Sequence, residues 1–390
     1  MTLHWVLFGS RATGSSRIHG HRIHEELLRQ GYDSQILVGP PQDVQRYDLP
    51  WHDPVPLAES TLFAAGDVVI LETVRGPRAQ AFAQTLRKRS VKVCFSECDL
   101  YPESEIVNHV DQLICTSEYL AKKYRECHLQ VPTAVIPDAV EELLTEVELA
   151  ERVPDRTKHL KLAWIGQGAH WETLGEIRDI LREQEFQDLE LTTVSNHPEA
   201  TAPWSPEEAS QVLRVADACL IPTGSTPQQL AKSSNRLVQG MALGAIPLAG
   251  AIPAYEEILK SGENGFLCRH TDDWRKALRQ LRSVELRRGM VRAGWDLVSR
   301  EFTIETITRR YVELLGLEPE EARPEKEWPR GYQGEMAADW GFWYLAQGRP
   351  SEAVGWFRKA VFCEPFSTGL GTLAGVACGK SAASFKRYPL

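Results

Sequence analysis

The chain has 390 residues, of which 43% are hydrophobic and 25% charged, with 28 glycines and 23 prolines. That describes an ordinary globular, soluble chain with room for two domains and an appendage. A formal net charge of −9 at pH 7 argues against non-specific binding to nucleic acid or to an anionic membrane surface.

In chain order, the N-terminal stretch MTLHWVLFGSRATGSS lacks the basic region and long apolar run of a signal peptide. HWVLFG (4–9) reads as a strand, RIHEELLRQGYDS as a helix, and QILVG (35–39) as a second strand. DVVILET (67–73), VKVCFSE (91–97), QLICTSE (112–118) and TAVIPDAV (133–140) continue the pattern. Strands spaced by helices predict a parallel, doubly wound sheet over residues 1–150. The charged stretch EELLTEVELAERVPDRTKH marks a boundary. Beyond it LKLAWIGQ (160–167), LELTTVS (189–195), ACLIPTG (218–224), AIPLAG (245–250) and GFLCR (265–269) repeat the design, predicting a second Rossmann-like domain over 159–316. The fold class expected is α/β, two doubly wound domains facing across a cleft, plus a small helical unit. LEPEEARPEKEWPRG is a linker. In residues 330–366, Gly341, Tyr344, Ala353, Phe357, Ala360 and Pro365 fit tetratricopeptide spacing and predict a helix pair. One such unit cannot bury its own face, so it must dock on the body or on a protein partner through residues 334–365. Residues 367–390 read as a loose helix or tail.

No window approaches the run of about 20 apolar residues that a spanning helix needs. The eight cysteines (94, 98, 115, 127, 219, 268, 363, 378) are scattered and read as reduced and mostly core, which fits a cytoplasmic protein. His19, His21 and His24 do not share one helix face, so solvated or packed histidines are expected there and no metal site. Trp340, Trp343 and Trp356 fall where a helix pair packs and read as core.

The stretch KSSNRLVQGMALGAIPLAG (232–250) gathers cations and hydroxyls ahead of an apolar helix. Ser233 or Ser234 would cap that helix, and Lys232, Asn235 and Arg236 would gather at its positive end, as in a phosphate site. An ordinary N-cap with two solvated cations is the alternative. In open α/β sheets, ligands sit at the carboxyl ends of strands. GSRATGSSR (9–17) also follows such a strand end, where Gly14 and Ser15 allow close backbone approach. Arg17 beside them is a phosphate candidate or a surface charge.

These motifs resemble the GT-B glycosyltransferases, and within them the large retaining family 4. The resemblance rests on VLRVADACLIPTG and NRLVQGMALGAIPLAGAIPAYEEILKSGENGFLC in the second half, and on GSSRIHGHRIHEELLRQGYDSQILV, ICTSEYLAKKY and VIPDAV in the first. It covers roughly residues 4–316. It implies a nucleotide-diphosphate sugar donor held by the second domain and an acceptor held by the first. Transfer would retain configuration, with neither a metal nor a separate cofactor. The acceptor would be a glycan, a lipid-linked sugar, a protein or a small molecule. Lys232 and Arg236 would contact the donor diphosphate.

The sequence also departs from the family. Of its two glutamates with seven residues between them, one position is Ala231 and the other Gln239, which can still hydrogen-bond a ribose. After the first strand of the second domain, Gly166, Gln167, His170 and Trp171 stand where the family has Arg and Lys. Glu256, with Glu257, is a donor candidate or an acidic pair at a helix start. Asp99 in CFSECDLYP would orient an acceptor hydroxyl or sit in a turn. Two rival functions remain: a nucleotide-sugar epimerase, for which no acidic set is visible, and a non-catalytic scaffold serving the helical unit, supported by Ala231 and Gln239.

Overall fold

The structure, a computed structural model, describes residues 1–128, 130–319, 328–329 and 331–363. It contains two six-stranded sheets. The first is formed by β1 (Leu3–Leu7), β2 (Ser34–Val38), β3 (Val68–Glu72), β4 (Lys92–Glu97), β5 (Gln112–Cys115) and β6 (Thr133–Val135), in the order β2-β1-β3-β4-β5-β6. The second is formed by β7 (Lys161–Ile165), β8 (Glu190–Ser195), β9 (Ala202–Pro203), β10 (Ala218–Ile221), β11 (Ile246–Gly250) and β12 (Phe266–Cys268), in the order β12-β11-β10-β7-β8-β9. Every pairing is parallel. β1 and β11 are buried along their whole lengths, as strands covered by helices on both faces must be. The loops leaving β1 and β7 open where the strand order reverses, which is where such sheets receive ligands. Among the described residues no helix is long and apolar enough to cross a membrane.

The chain crosses between the domains twice, and the crossings run side by side: the Val140 N–H donates to the Phe302 carbonyl at 2.8 Å. After the second crossing the helix Ile304–Leu315 returns to the first domain. Its Ile307, Tyr311 and Leu315, spaced at four, share one face and pack with Leu3, Trp5 and Ile23. Residues 304–315, which the sequence groups with the second domain, thus complete the core of the first.

The expected helix pair is Tyr332–Ala346 and Pro350–Cys363. A Cβ on Gly341 would lie 2.6 Å from the Phe357 ring, so the helices pack tightly there. The pair docks on the first domain, where Ala337, Trp340 and Phe357 join a core containing Trp51, Phe63 and Phe82. Trp343 and Trp356 pack against it partly buried. The Trp51 Nε1–H donates to the Tyr332 carbonyl at 2.9 Å, the Tyr344 hydroxyl donates to the Gln42 carbonyl at 2.7 Å, and Arg46 pairs with Asp339 at 3.2 Å. Pro365, Cys378 and the tail 367–390 lie outside the described residues.

Candidate active site

The carboxyl ends of the two sheets face each other across a cleft of about 700 Å³. One wall comes from the loop after β1, with Thr13, Gly14, Ser15 and Arg17, and from Asp99 after β4. The other carries Gly166 and Gln167 after β7, and Lys232, Ser233, Asn235 and Arg236 ahead of and within the helix Asn235–Ala242.

That helix begins where the sequence places it, but its cap differs. Ser234, the N-cap residue, has φ −80° and ψ 7° and makes no capping bond from its side chain. It lacks the extended conformation that lets a cap hydroxyl reach the next turn. The Ser233 hydroxyl instead accepts the Asn235 N–H at 3.4 Å. The first turn of the helix, at the positive end of its dipole, lies at the cleft, where Asn235 and Arg236 line the wall. Asn235 Nδ2 is buried there without a partner among the described residues.

Lys232 does not stand alone. Its Nζ meets Asp99 Oδ1 at 2.5 Å, an ion pair that joins the two domains. Burial opposes the lysine charge, but Asp99 outweighs it and raises the pKa. Arg236 lies beside the buried Tyr255, and among the described residues no carboxylate is ion-paired with it. His170 sits near both cations; burial, then Arg236 and Lys232, lower its pKa.

Three expected site residues turn out to be engaged elsewhere. Arg17 is gripped by Glu141 through two bonds, at 2.7 and 3.1 Å, so its charge is spent on the interdomain linker. The Gln239 amide faces the same linker: its Oε1 accepts the Glu141 N–H at 3.0 Å and its Nε2 donates to the Ala139 carbonyl at 3.3 Å. Glu256 is exposed, does not line the cleft, and pairs with Arg269 at 2.5 Å. As a donor contact it is corrected: it ends the helix Pro253–Glu256, whose buried start turns this last residue out to solvent. Glu257 is likewise exposed outside the cleft, and Ala231 is buried. Gly14 has open space where a Cβ would be, so the loop leaves room rather than filling it. At Gly166 a Cβ would lie 2.7 Å from Trp164. Trp171 is buried and stacks on His197, away from the cleft.

The sequence reading also missed a pair. His19 and Asp138 both line the cleft and meet at 2.8 Å, both buried. Burial opposes the imidazolium, yet Asp138, then Glu72 and Glu97, raise the pKa. His19 lies on a π-helical turn, Arg17–His21, which shifts the faces of that helix. Behind the loop the buried Glu72 accepts bonds from the Ser16 hydroxyl at 2.6 Å and the Phe8 N–H at 3.1 Å, holding the wall in place. Among the described residues no group of three His, Cys, Asp or Glu is placed to hold a metal ion.

No family model and no curated protein matches the sequence. Solved structures do match. Anabaena HepE, solved with UDP and glucose, aligns with a TM-score of 0.58 at 11% identity over 81% of this chain and 99% of that one. The fold is GT-B. A glycosyltransferase from Rickettsia africae aligns at 0.53 and 11% identity over 80% of this chain and 97% of that one. The apo structure of OtsA aligns at 0.55 and 11% over 81% and 99%. The two parallel sheets, the cleft between their carboxyl edges and the returning helix thus form a GT-B body, on which the helix pair is an addition.

Proposed function

We propose that this chain is a glycosyltransferase of the retaining family 4 type, moving a sugar from a nucleoside-diphosphate donor to a hydroxyl acceptor without a metal. The observation that carries this is the convergence of Lys232, Arg236, the unpartnered Asn235 amide and a helix N-terminus at the carboxyl edge of the second sheet, opposite the open Gly14 loop. HepE has been solved with UDP-glucose, and Staphylococcus aureus TarM with UDP and α-GlcNAc-glycerol. The donor's diphosphate would lie against Arg236 and the first helical turn. As the bond from sugar to phosphate breaks, negative charge grows on the phosphate. Fixed cations and N–H groups stabilise that charge more in the transition state than in the ground state. The acceptor would enter along the first-domain wall, near Asp99.

Gln239 is a linker residue first, and this reading gives the donor ribose no carboxylate from the Asn235–Ala242 helix. Those two features favour the non-catalytic alternative. The docked helix pair counts against it, because its apolar face is already covered by the first domain.

Thermal unfolding with UDP, GDP, ADP and their glucose conjugates tests the proposal. A ligand at about a hundredfold over its Kd stabilises the folded state by about 2.7 kcal/mol. One nucleotide series should raise Tm, Arg236→Glu should abolish the rise, and the matching sugar donor should be consumed when acceptors are supplied. Binding without consumption across acceptors, or no binding by any nucleotide, would favour the non-catalytic reading over the transferase.

A further inference from the structure

We infer that Asp99 is an internal occupant of the anion site, and that donor binding exchanges Asp99 for phosphate on Lys232, freeing the carboxylate to face the acceptor. The inference rests on the donor reading above.

The two partners come from different domains: Asp99 follows β4 of the first sheet, and Lys232 precedes the Asn235–Ala242 helix of the second. Their bond at 2.5 Å spans the cleft beside the place assigned to the diphosphate. The other cleft carboxylates are held more firmly. Asp138 is buried with His19, Glu141 grips Arg17 twice, and Glu142 accepts from Ser210 and Arg214. The Asp99 carboxylate has a single side-chain partner among the described residues, Lys232.

The Asp99 backbone, by contrast, is fixed. Its N–H donates to Glu97 Oε1 at 3.0 Å, and its carbonyl accepts from the Tyr124 hydroxyl at 3.3 Å. The carboxylate can change partner without moving the chain. Both side chains are more than a third exposed, 40% for Lys232 and 37% for Asp99, so solvent weakens the pair. A diphosphate brings more charge and also reaches Arg236 and the helix N-terminus, so it outcompetes one carboxylate. Donor before acceptor follows, because Asp99 is engaged until phosphate arrives.

A double-mutant cycle on full-length protein tests this, with UDP, GDP and ADP as probes and calorimetry as readout. Asp99→Asn should lower the Kd of the bound nucleotide about two- to fivefold, the strength of one exposed ion pair. Lys232→Ala should raise it about tenfold or more, since a charge-assisted contact is lost. In the Lys232→Ala background, Asp99→Asn should have little further effect. An unchanged or higher Kd for Asp99→Asn overturns the exchange. Equal tightening in both backgrounds overturns it too, since simple repulsion would then suffice. If the wild type binds and only the cycle fails, the donor reading stands alone; if no variant binds any of the three, both fall. Unaltered Tm without ligand confirms that each variant is folded.

Discussion

Glu97 sits beneath Asp99 with its carboxylate buried, near Arg75 at 3.1 Å and accepting the N–H groups of Cys98 and Asp99 at 3.0 Å each. Burial outweighs these partners and pushes its pKa up to about 7. An unfolded glutamate titrates near about 4.3. Between those values the folded chain holds a proton that the unfolded chain has released, so stability falls as pH rises and levels off above about 7. Glu97→Gln should remove that slope. Its Tm relative to wild type should climb between about pH 5 and pH 7.5, and a gap that stays constant with pH would show that Glu97 does not titrate there. Such a residue is hard to read from sequence, because its pKa depends on what covers it. Lys232, Arg236 and Asn235 were legible because they are neighbours at a helix start. His19 and Asp138 were not: they are brought together by the fold, and the π-helical turn at Arg17–His21 breaks the regular spacing on which the face of His19 was judged. Arg17 and Gln239 looked available because nothing local shows that the linker claims them.

At the scale of elements, the C-terminal region is helical, and Gly341 sits where its two helices, Tyr332–Ala346 and Pro350–Cys363, pack tightly. Gly341→Leu would drive a side chain into Phe357 and should cost about 1–3 kcal/mol, seen as a lower urea midpoint. If the helix pair instead loosened freely, the midpoint would barely move. What the spacing could not show was the docking surface. Trp51 and the loop carrying Gln42 and Arg46 receive the pair, and Tyr47 of the same loop lines the cleft. The helix Ile304–Leu315 teaches a similar point. Its periodic Ile307, Tyr311 and Leu315 announced an apolar face, but periodicity does not say which of two cores will cover it.

At the scale of the whole molecule, the two domains are tied by side chains as well as by the two chain crossings. Gln239→Leu removes both bonds to the linker, to the Glu141 N–H and the Ala139 carbonyl. The expected result is a larger radius of gyration without ligand and faster proteolysis across residues 136–145, with the nucleotide Kd changing less than about threefold. A large loss of nucleotide affinity with unchanged dimensions would return Gln239 to the ribose role implied by its family position. The side-by-side crossings at Val140 and Phe302 also impose an order of assembly on the newborn chain. The second domain is one continuous stretch and has everything it needs once residue 302 has left the ribosome. The first domain, though made earlier, must wait for Ile307, Tyr311, Leu315 and then the Trp340 and Phe357 helices before Leu3, Trp5 and Trp51 are covered. The half that emerges first is the half that finishes last, and during that wait its bare sheet is the natural client for a chaperone.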